Sequence, residues 1–73
     1  MTVRPFTATT GIVESFDEAR GLGTVRTDDG AALPFHCTAI ADGSRTIEVA
    51  ARVRCQVVAG LMGRWEAAGI EPA

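Results

Sequence analysis

The sequence has 73 residues, which is enough for one small domain with a single core and excludes a large enzyme with a deep cleft. Its 47% hydrophobic and 22% charged residues exclude an intrinsically disordered chain, and no apolar run nears the ~20 residues of a membrane span. The net charge is −2 and all seven basic residues are arginines, so any contact with phosphate depends on a local group of arginines.

Short β-branched runs separated by turn residues predict five strands, over Gly11–Phe16, Leu22–Thr27, Ala32–Cys37, Val49–Val58 and Trp65–Ile70. Asp28–Gly30 is the strongest turn signal, because Asp-Gly suits the positive φ angles of a tight hairpin. Alternation places Leu22, Thr24 and Arg26 on one face of the second strand. Pro34 cannot donate to a ladder, so the third strand lies at an edge or directs its missing donor outward.

The order of these elements predicts an all-β fold. No helical period longer than one turn appears, and Thr38–Ala41 predicts a single helical turn at most. Five strands in about 60 residues close most economically into an antiparallel Greek-key barrel. We expect this domain to span residues 10–71, with residues 1–9 as an arm or an extra edge strand and residues 72–73 as a tail.

The cysteines and the N-terminus indicate the compartment. Cys37 and Cys55 lie in strand-like runs, where two reduced cysteines serve as small hydrophobic residues, with a single bridge between neighbouring strands as the alternative. Met1–Phe6 lacks the charged start and apolar stretch of a signal peptide. We therefore expect a cytoplasmic protein that does not engage a membrane.

No constellation of catalytic or metal-binding residues is visible in the sequence. His36 and the two cysteines make three ligands without a CxxC pair or a fourth ligand, so no zinc site is predicted. A single histidine without a nearby nucleophile or carboxylate pattern is typical of a surface or ring-stacking residue. We expect a protein that is not an enzyme and that uses no cofactor or metal.

Six segments, in order, resemble the bacterial cold-shock proteins. They are Gly11–Asp17 (opening strand), Arg20–Val25 (first ribonucleoprotein motif), Asp28–Gly30 (hairpin), Phe35–Ile40 (second motif), Gly43–Ile47 (basic loop) and Ala67–Ile70 (last strand). The match covers nearly the whole chain. The resemblance implies the oligonucleotide-binding (OB) barrel of the cold-shock domain, which binds single-stranded RNA or DNA by stacking bases on exposed rings.

Most rings of the family's binding platform are replaced in this chain. The substituted positions are Ser15, Leu22, Thr24, Pro34, Cys37 and Ser44, and Glu14 stands where the family has a lysine. Phe16 and His36 remain, whereas Phe35 matches an inward position and is expected in the core. The resemblance therefore implies weak binding with little sequence preference, as an RNA chaperone or regulator.

Four further residues compensate for the lost rings in this interpretation. Arg20 and Arg45 keep basic positions of the family, and Arg26 shares the face of Leu22 and Thr24. Trp65 faces outward if the last strand is aligned backward from Ile70, with Ala68 inward, and turns inward if the Gly63 turn sets the register. The candidate nucleic-acid contacts are Phe16, Arg20, Leu22, Thr24, Arg26, His36, Arg45 and Trp65.

The alternative function is that of a protein-interaction module. The loss of rings and the acidic balance both favour it. Leu22, Pro34 and Leu61-Met62 then form an exposed apolar patch for a protein partner or for self-association.

Overall fold

A computed structural model of the chain describes residues 6–60 and 63–73, which form five antiparallel strands in one sheet. The strands are β1 (Phe6–Asp17), β2 (Leu22–Thr27), β3 (Ala32–His36), β4 (Arg52–Ala59) and β5 (Trp65–Pro72). A 3₁₀ turn over Cys37–Ala39 follows β3. The sheet order is β3-β2-β1-β4-β5, which confirms the predicted all-β fold of five antiparallel strands. None of the helical segments in the described ranges has the length and apolarity to cross a bilayer.

β1 is long because it pairs with two strands in succession. Its first part, from Phe6 to Ile12, pairs with β4, and its second part, from Gly11 to Asp17, pairs with β2. Gly11 lies where the two ladders overlap, and a Cβ there would collide with the backbone of Arg26. β1 therefore begins at Phe6 rather than at the predicted Gly11, so residues 6–9 of the predicted arm belong to this strand. Residues 1–5 of the predicted arm lie outside the described residues.

β4 starts three residues later than predicted. The amide of Ala51 donates to the carbonyl of Glu48 at 3.3 Å, and Ala50 has a φ of 76°. This turn ends the loop before the ladder begins at Arg52, although Val49 is a good strand former.

The core lies on one face of the curved sheet. Its buried members are Val13, Val25, Leu33, Phe35, Ile40, Val53, Cys55, Ala67 and Ile70. Val53 and Cys55 alternate with the exposed Arg52 and Arg54, as the period of two along β4 requires. Phe35 is 3% exposed, which confirms its predicted place in the core.

The two edge strands approach each other beyond the end of β3. Ile40 and Ile70 form an isolated parallel bridge, and the amide of Ala41 donates to the carbonyl of Ile70 at 2.8 Å. Within the described ranges no strand ladder joins β3 to β5. Pro34 thus lies in an edge strand, where its missing donor breaks no central ladder.

A β-bulge in β5 decides the side on which Trp65 lies. Gln56 pairs with Ala68, but Arg54 pairs with Glu71, so two residues of β5 oppose one of β4. Gly69, with a φ of 56°, supplies the backbone that the bulge needs. The bulge buries Ala67 rather than Ala68, which corresponds to the second of the two registers left open by the sequence, the one that puts Trp65 on the core side. Trp65 shares the side of Ala67, yet it is 57% exposed because it is the first residue of the strand.

Candidate functional site

The outward side of the β2–β3 hairpin carries four of the positions considered in the sequence. Leu22 pairs with His36 and Thr24 pairs with Pro34 across the ladder. Their strand neighbours point into the core, so these four residues face away from it. We call Leu22, Thr24, Pro34 and His36 the hairpin face.

Two shallow depressions adjoin on this hairpin face. One, of about 370 Å³, is lined by Arg20, Leu22, Thr24 and Pro34 among others. The other, of about 380 Å³, is lined by His36 and Arg45 among others. Because Leu22 and His36 are ladder partners, the depressions lie side by side, with one arginine in each.

Arg20 is positioned by the turn between β1 and β2. Its amide donates to Oδ1 of Asp17 at 3.2 Å, and the amide of Gly21 donates to the carbonyl of Asp17 at 2.8 Å. The guanidinium Nε lies 3.9 Å from Oδ2 of Asp17, and the Arg20 side chain is 76% exposed. An exposed pair at that distance is weak, so the guanidinium can still bind an anion.

The ring of His36 is fixed by the 3₁₀ turn that follows it. The amide of Thr38 donates to Nδ1 of His36 at 3.2 Å, and Oγ1 of Thr38 lies 3.0 Å from the same nitrogen. Nδ1 is therefore the acceptor, and the neutral ring carries its proton on Nε2. The sequence did not predict that Thr38 orients the His36 ring. A threonine two residues after a histidine could have indicated it, because both its amide and its hydroxyl can reach the ring nitrogen across a turn.

Arg45 lies in the loop between the 3₁₀ turn and β4. The amide of Ser44 donates to Oδ1 of Asp42 at 2.8 Å, which shapes the loop. Hydrogen bonds from Ser44 lower the pKa of the Asp42 carboxyl, so this group is anionic at neutral pH. Arg45 is exposed, and no carboxylate of the described residues lies within ion-pair distance of it.

Arg26 lies on the same side of β2 but is held by an acidic partner. Its Nε and Nη2 donate to Oε1 of Glu14 at 3.0 and 2.7 Å, and its Nη1 donates to the carbonyl of Gly30 at 3.1 Å. Most of its donors are thus engaged within the chain. The structure does not place Arg26 as an open anion contact, in contrast to its predicted role.

Phe16 lies on the core side of the sheet. Gly23 is the ladder partner of both Phe16 and Phe35, whose rings stack over it with centroids 5.9 Å apart and 7° between their planes. A Cβ on Gly23 would come within 2.6 Å of the Phe35 ring. Phe16 is therefore packed against the core rather than presented on the hairpin face, and the exposed Trp65 lines neither depression.

The two cysteines have different surroundings and are both free thiols. Cys55 is 1% exposed, and its burial raises the pKa of its thiol. Cys37 is half-buried, lines the second depression, and has its Sγ 3.8 Å from Nδ1 of His36. Among the described residues no three His, Cys, Asp or Glu side chains are grouped so as to hold a metal ion.

Comparisons with known proteins support the fold. No protein-family model matches the chain, and no curated protein matches it in sequence. Among solved structures, the chain is similar to a tryptophan-to-alanine variant of CusF from Escherichia coli with Cu(II), with a TM-score of 0.69 and 17% identity, over 100% of this chain and 99% of that one. A likeness at this identity shows an all-β, OB-type fold.

Proposed function

We propose that this chain binds single-stranded RNA or DNA on the hairpin face, weakly and with little sequence preference, as a cold-shock-type RNA chaperone or regulator. One observation carries the proposal: two exposed arginines, Arg20 and Arg45, line the adjoining depressions of that face. The strands that resemble the two ribonucleoprotein motifs are also neighbours in the sheet, as they are in the cold-shock domain.

The arginines supply the backbone contacts in this proposal. A guanidinium presents several donors in one plane and is always charged, so it suits phosphate oxygens. Arg20 has only a distant carboxylate at 3.9 Å, and its free energy of pairing is small compared with a phosphate contact. The expected binding is therefore sensitive to salt, with counterions released at about two phosphates.

Base contacts in this proposal come from His36, Leu22 and Pro34. Stacking on an aromatic ring contributes about 1–3 kcal/mol per base, and the hairpin face offers one imidazole where the cold-shock family has several phenyl rings. The Nε2 proton of His36 can add a hydrogen bond to a base or a phosphate. Binding is thus weaker than in a family member that keeps all its rings, and no base edge is read selectively.

The proposal includes a closed Greek-key barrel and a cytoplasmic location. The hydrogen bond from the Ala41 amide to the Ile70 carbonyl supports an approach of the two edge strands. The free thiols of Cys37 and Cys55 suit a reducing compartment.

Titration with fluorescein-labelled oligo-dT and oligo-U at low salt tests the proposal. Fluorescence anisotropy is expected to show binding in the micromolar range, similar for the two oligonucleotides and weaker as salt is added. No binding at high micromolar protein, with no dependence on salt, contradicts it. Trp65 is the single tryptophan, and unchanged emission on saturation will show that it lies outside the site.

A protein-interaction module is the second candidate, and one observation favours it. Leu22 is 48% exposed and lines the same depression as Pro34, which leaves apolar surface on the hairpin face; Leu61 and Met62 of the predicted patch lie outside the described residues. A stable complex in pull-downs, without RNA crosslinks, supports this candidate. A monomer that crosslinks to RNA contradicts it. Copper binding is not proposed for this chain, because its likeness to the CusF structure concerns the fold alone.

A further inference from the structure

A second concave site lies at the end of the sheet, formed by β4, β5 and the loop between the 3₁₀ turn and β4. It is a cleft of about 440 Å³, open on one side, with walls that are mainly apolar. Its apolar lining includes Ile40, Ile47, Val53 and Ile70. This volume falls within the range of ligand-binding pockets.

The cleft is held in shape by backbone hydrogen bonds. The amide of Ala41 donates to the carbonyl of Ile70 at 2.8 Å, and the amide of Gly43 donates to the carbonyl of Ile40 at 3.2 Å. Ile47 of the loop is partly buried against the core that contains Ile40 and Ile70. The cleft is therefore formed before any ligand arrives, which lowers the entropic cost of binding.

Three charged side chains line the cleft, and two of them are neutralised. Nη1 and Nη2 of Arg52 donate to the carboxylate of Asp28 at 2.9 and 3.3 Å. Oε1 of Glu71 accepts from Arg54 at 3.0 and 2.5 Å. The third is Asp42, which has no guanidinium partner among the described residues, so its carboxylate gives the lining one negative charge in excess.

We propose that this cleft binds a small organic amine, with its apolar body against the accessible surface of Ile47, Ala51 and Pro72 and its ammonium group beside Asp42. An apolar pocket with one convergent polar group is the usual design of a small-molecule site. The excess negative charge selects a cation over a neutral molecule or an anion of the same shape. The cleft contains neither Arg20 nor Arg45 and no residue of the hairpin face, although Ile40 lines both the cleft and the second depression, so amine binding is measured apart from nucleic-acid binding.

Phenethylamine is the probe, with phenethyl alcohol and phenylacetate as neutral and anionic counterparts. Each is titrated into ¹⁵N-labelled protein, and backbone amide shifts are followed at Ile40, Ile47 and Ile70. We expect saturable shifts with phenethylamine at a dissociation constant on the order of 1 mM, as suits a ligand of about nine heavy atoms. Phenethyl alcohol is expected to bind about three- to fivefold more weakly, and phenylacetate more weakly still.

The matched variants are Asp42→Asn and Glu48→Gln. Asparagine keeps the oxygen that accepts from the Ser44 amide but removes the charge, whereas Glu48 lies on the same loop outside the cleft lining. Asp42→Asn is expected to weaken phenethylamine about three- to fivefold, because an exposed carboxylate attracts a cation only modestly, and Glu48→Gln less than twofold. Equal binding of the three probes to the unmodified protein overturns the proposal, and this result does not depend on whether the variant folds. Absence of saturation by about 10 mM phenethylamine also overturns it. Shifts that depend on protein concentration alone would place a second copy of the chain in the cleft and likewise overturn it.

Discussion

Five of the seven arginines of this chain fall into two groups that differ in their neighbours; Arg4 lies outside the described residues, and the exposed Arg64 lines neither depression. Arg26, Arg52 and Arg54 lie on strands, and each guanidinium makes two hydrogen bonds to one carboxylate, which belongs to Glu14 of β1, to Asp28 in the turn after β2, or to Glu71 of β5, respectively. Arg20 and Arg45 lie in a turn and a loop, and neither has a carboxylate closer than 3.9 Å among the described residues. We call the sheet surface that carries Arg26, Arg52, Arg54 and the neighbouring Ile12 the paired face. We call Arg20 and Arg45 the open arginines.

The difference follows from the geometry of a sheet. Strand register holds side chains on neighbouring strands at a fixed separation. An acidic side chain therefore stays within hydrogen-bond distance of an arginine on a strand. On the paired face, Ile12 is the ladder partner of both Arg26 and Arg52, so these guanidiniums lie on either side of one exposed apolar residue. A turn or loop offers no such register, and its arginines stay free for an external anion.

This comparison explains how a chain of net charge −2 can present a site for phosphate. Ion pairs this exposed contribute little to stability. Their larger effect is electrostatic, because each acid cancels the field of a strand arginine and leaves the open arginines as the local positive charge. Net charge therefore describes the whole chain and not the hairpin face.

Restoring rings on the hairpin face should have the largest effect. Leu22→Phe with Thr24→Phe returns two aromatic side chains to an outward position, and each stacked base adds about 1–3 kcal/mol. We expect affinity for oligo-dT to rise at least about 30-fold, measured by anisotropy. Ile12→Phe is the control, because it adds a ring to the paired face. An equal gain with Ile12→Phe would remove the distinction between the two faces.

Removing the open arginines should have the next largest effect. Arg20→Ala with Arg45→Ala is expected to weaken oligo-dT binding about tenfold and to bring the slope of log K against log salt from about −1.4 to near zero. Arg52→Ala with Arg54→Ala removes the same formal charge from the paired face and should change affinity less than twofold. Equal losses in both pairs would show that overall charge, rather than the open arginines, drives binding.

Freeing one arginine of the paired face gives a smaller and opposite change. Glu14→Gln removes the carboxylate that engages Nε and Nη2 of Arg26, on the same side of β2 as the hairpin face. Oligo-dT affinity is expected to rise about two- to threefold, as one extra cation becomes free. Glu48→Gln, which removes an exposed acid without a guanidinium partner, serves as the control. If both variants give the same rise, the gain comes from net charge and not from Arg26.

The smallest effect concerns acid stability on the paired face. The Thr10 hydroxyl, followed by Arg52, lowers the pKa of Asp28 from its ordinary 3.8. A carboxyl whose pKa is lower in the folded state stabilises the fold above its unfolded pKa, and this contribution is lost as pH falls through the folded value. Thr10→Val should move the pKa of Asp28 up towards 3.8, as followed by NMR titration of its carboxyl carbon. Asp29, whose main partner is Thr27, should not move.

The sequence predicted those parts of the molecule that depend on local pattern. Alternation along β2 placed Leu22 and Thr24 outward, and the Asp-Gly turn placed the β2–β3 hairpin. The pairing of Arg26 with Glu14 was not predictable from alternation, since it depends on the register between β1 and β2. The side of Trp65 depended on a bulge at Gly69, where a single extra residue puts Trp65 on the side of the buried Ala67, and its exposure comes from its place at the start of β5.

Mapping the binding surface by NMR tests the central claim most directly. Oligo-dT is titrated into ¹⁵N-labelled protein, and amide shifts are compared between the two faces. We expect the largest shifts at Leu22, Thr24 and His36 and in the loop around Arg45, with little change at Ile12 and Arg54. Shifts centred on the paired face, or no shifts at saturating oligonucleotide, would contradict it.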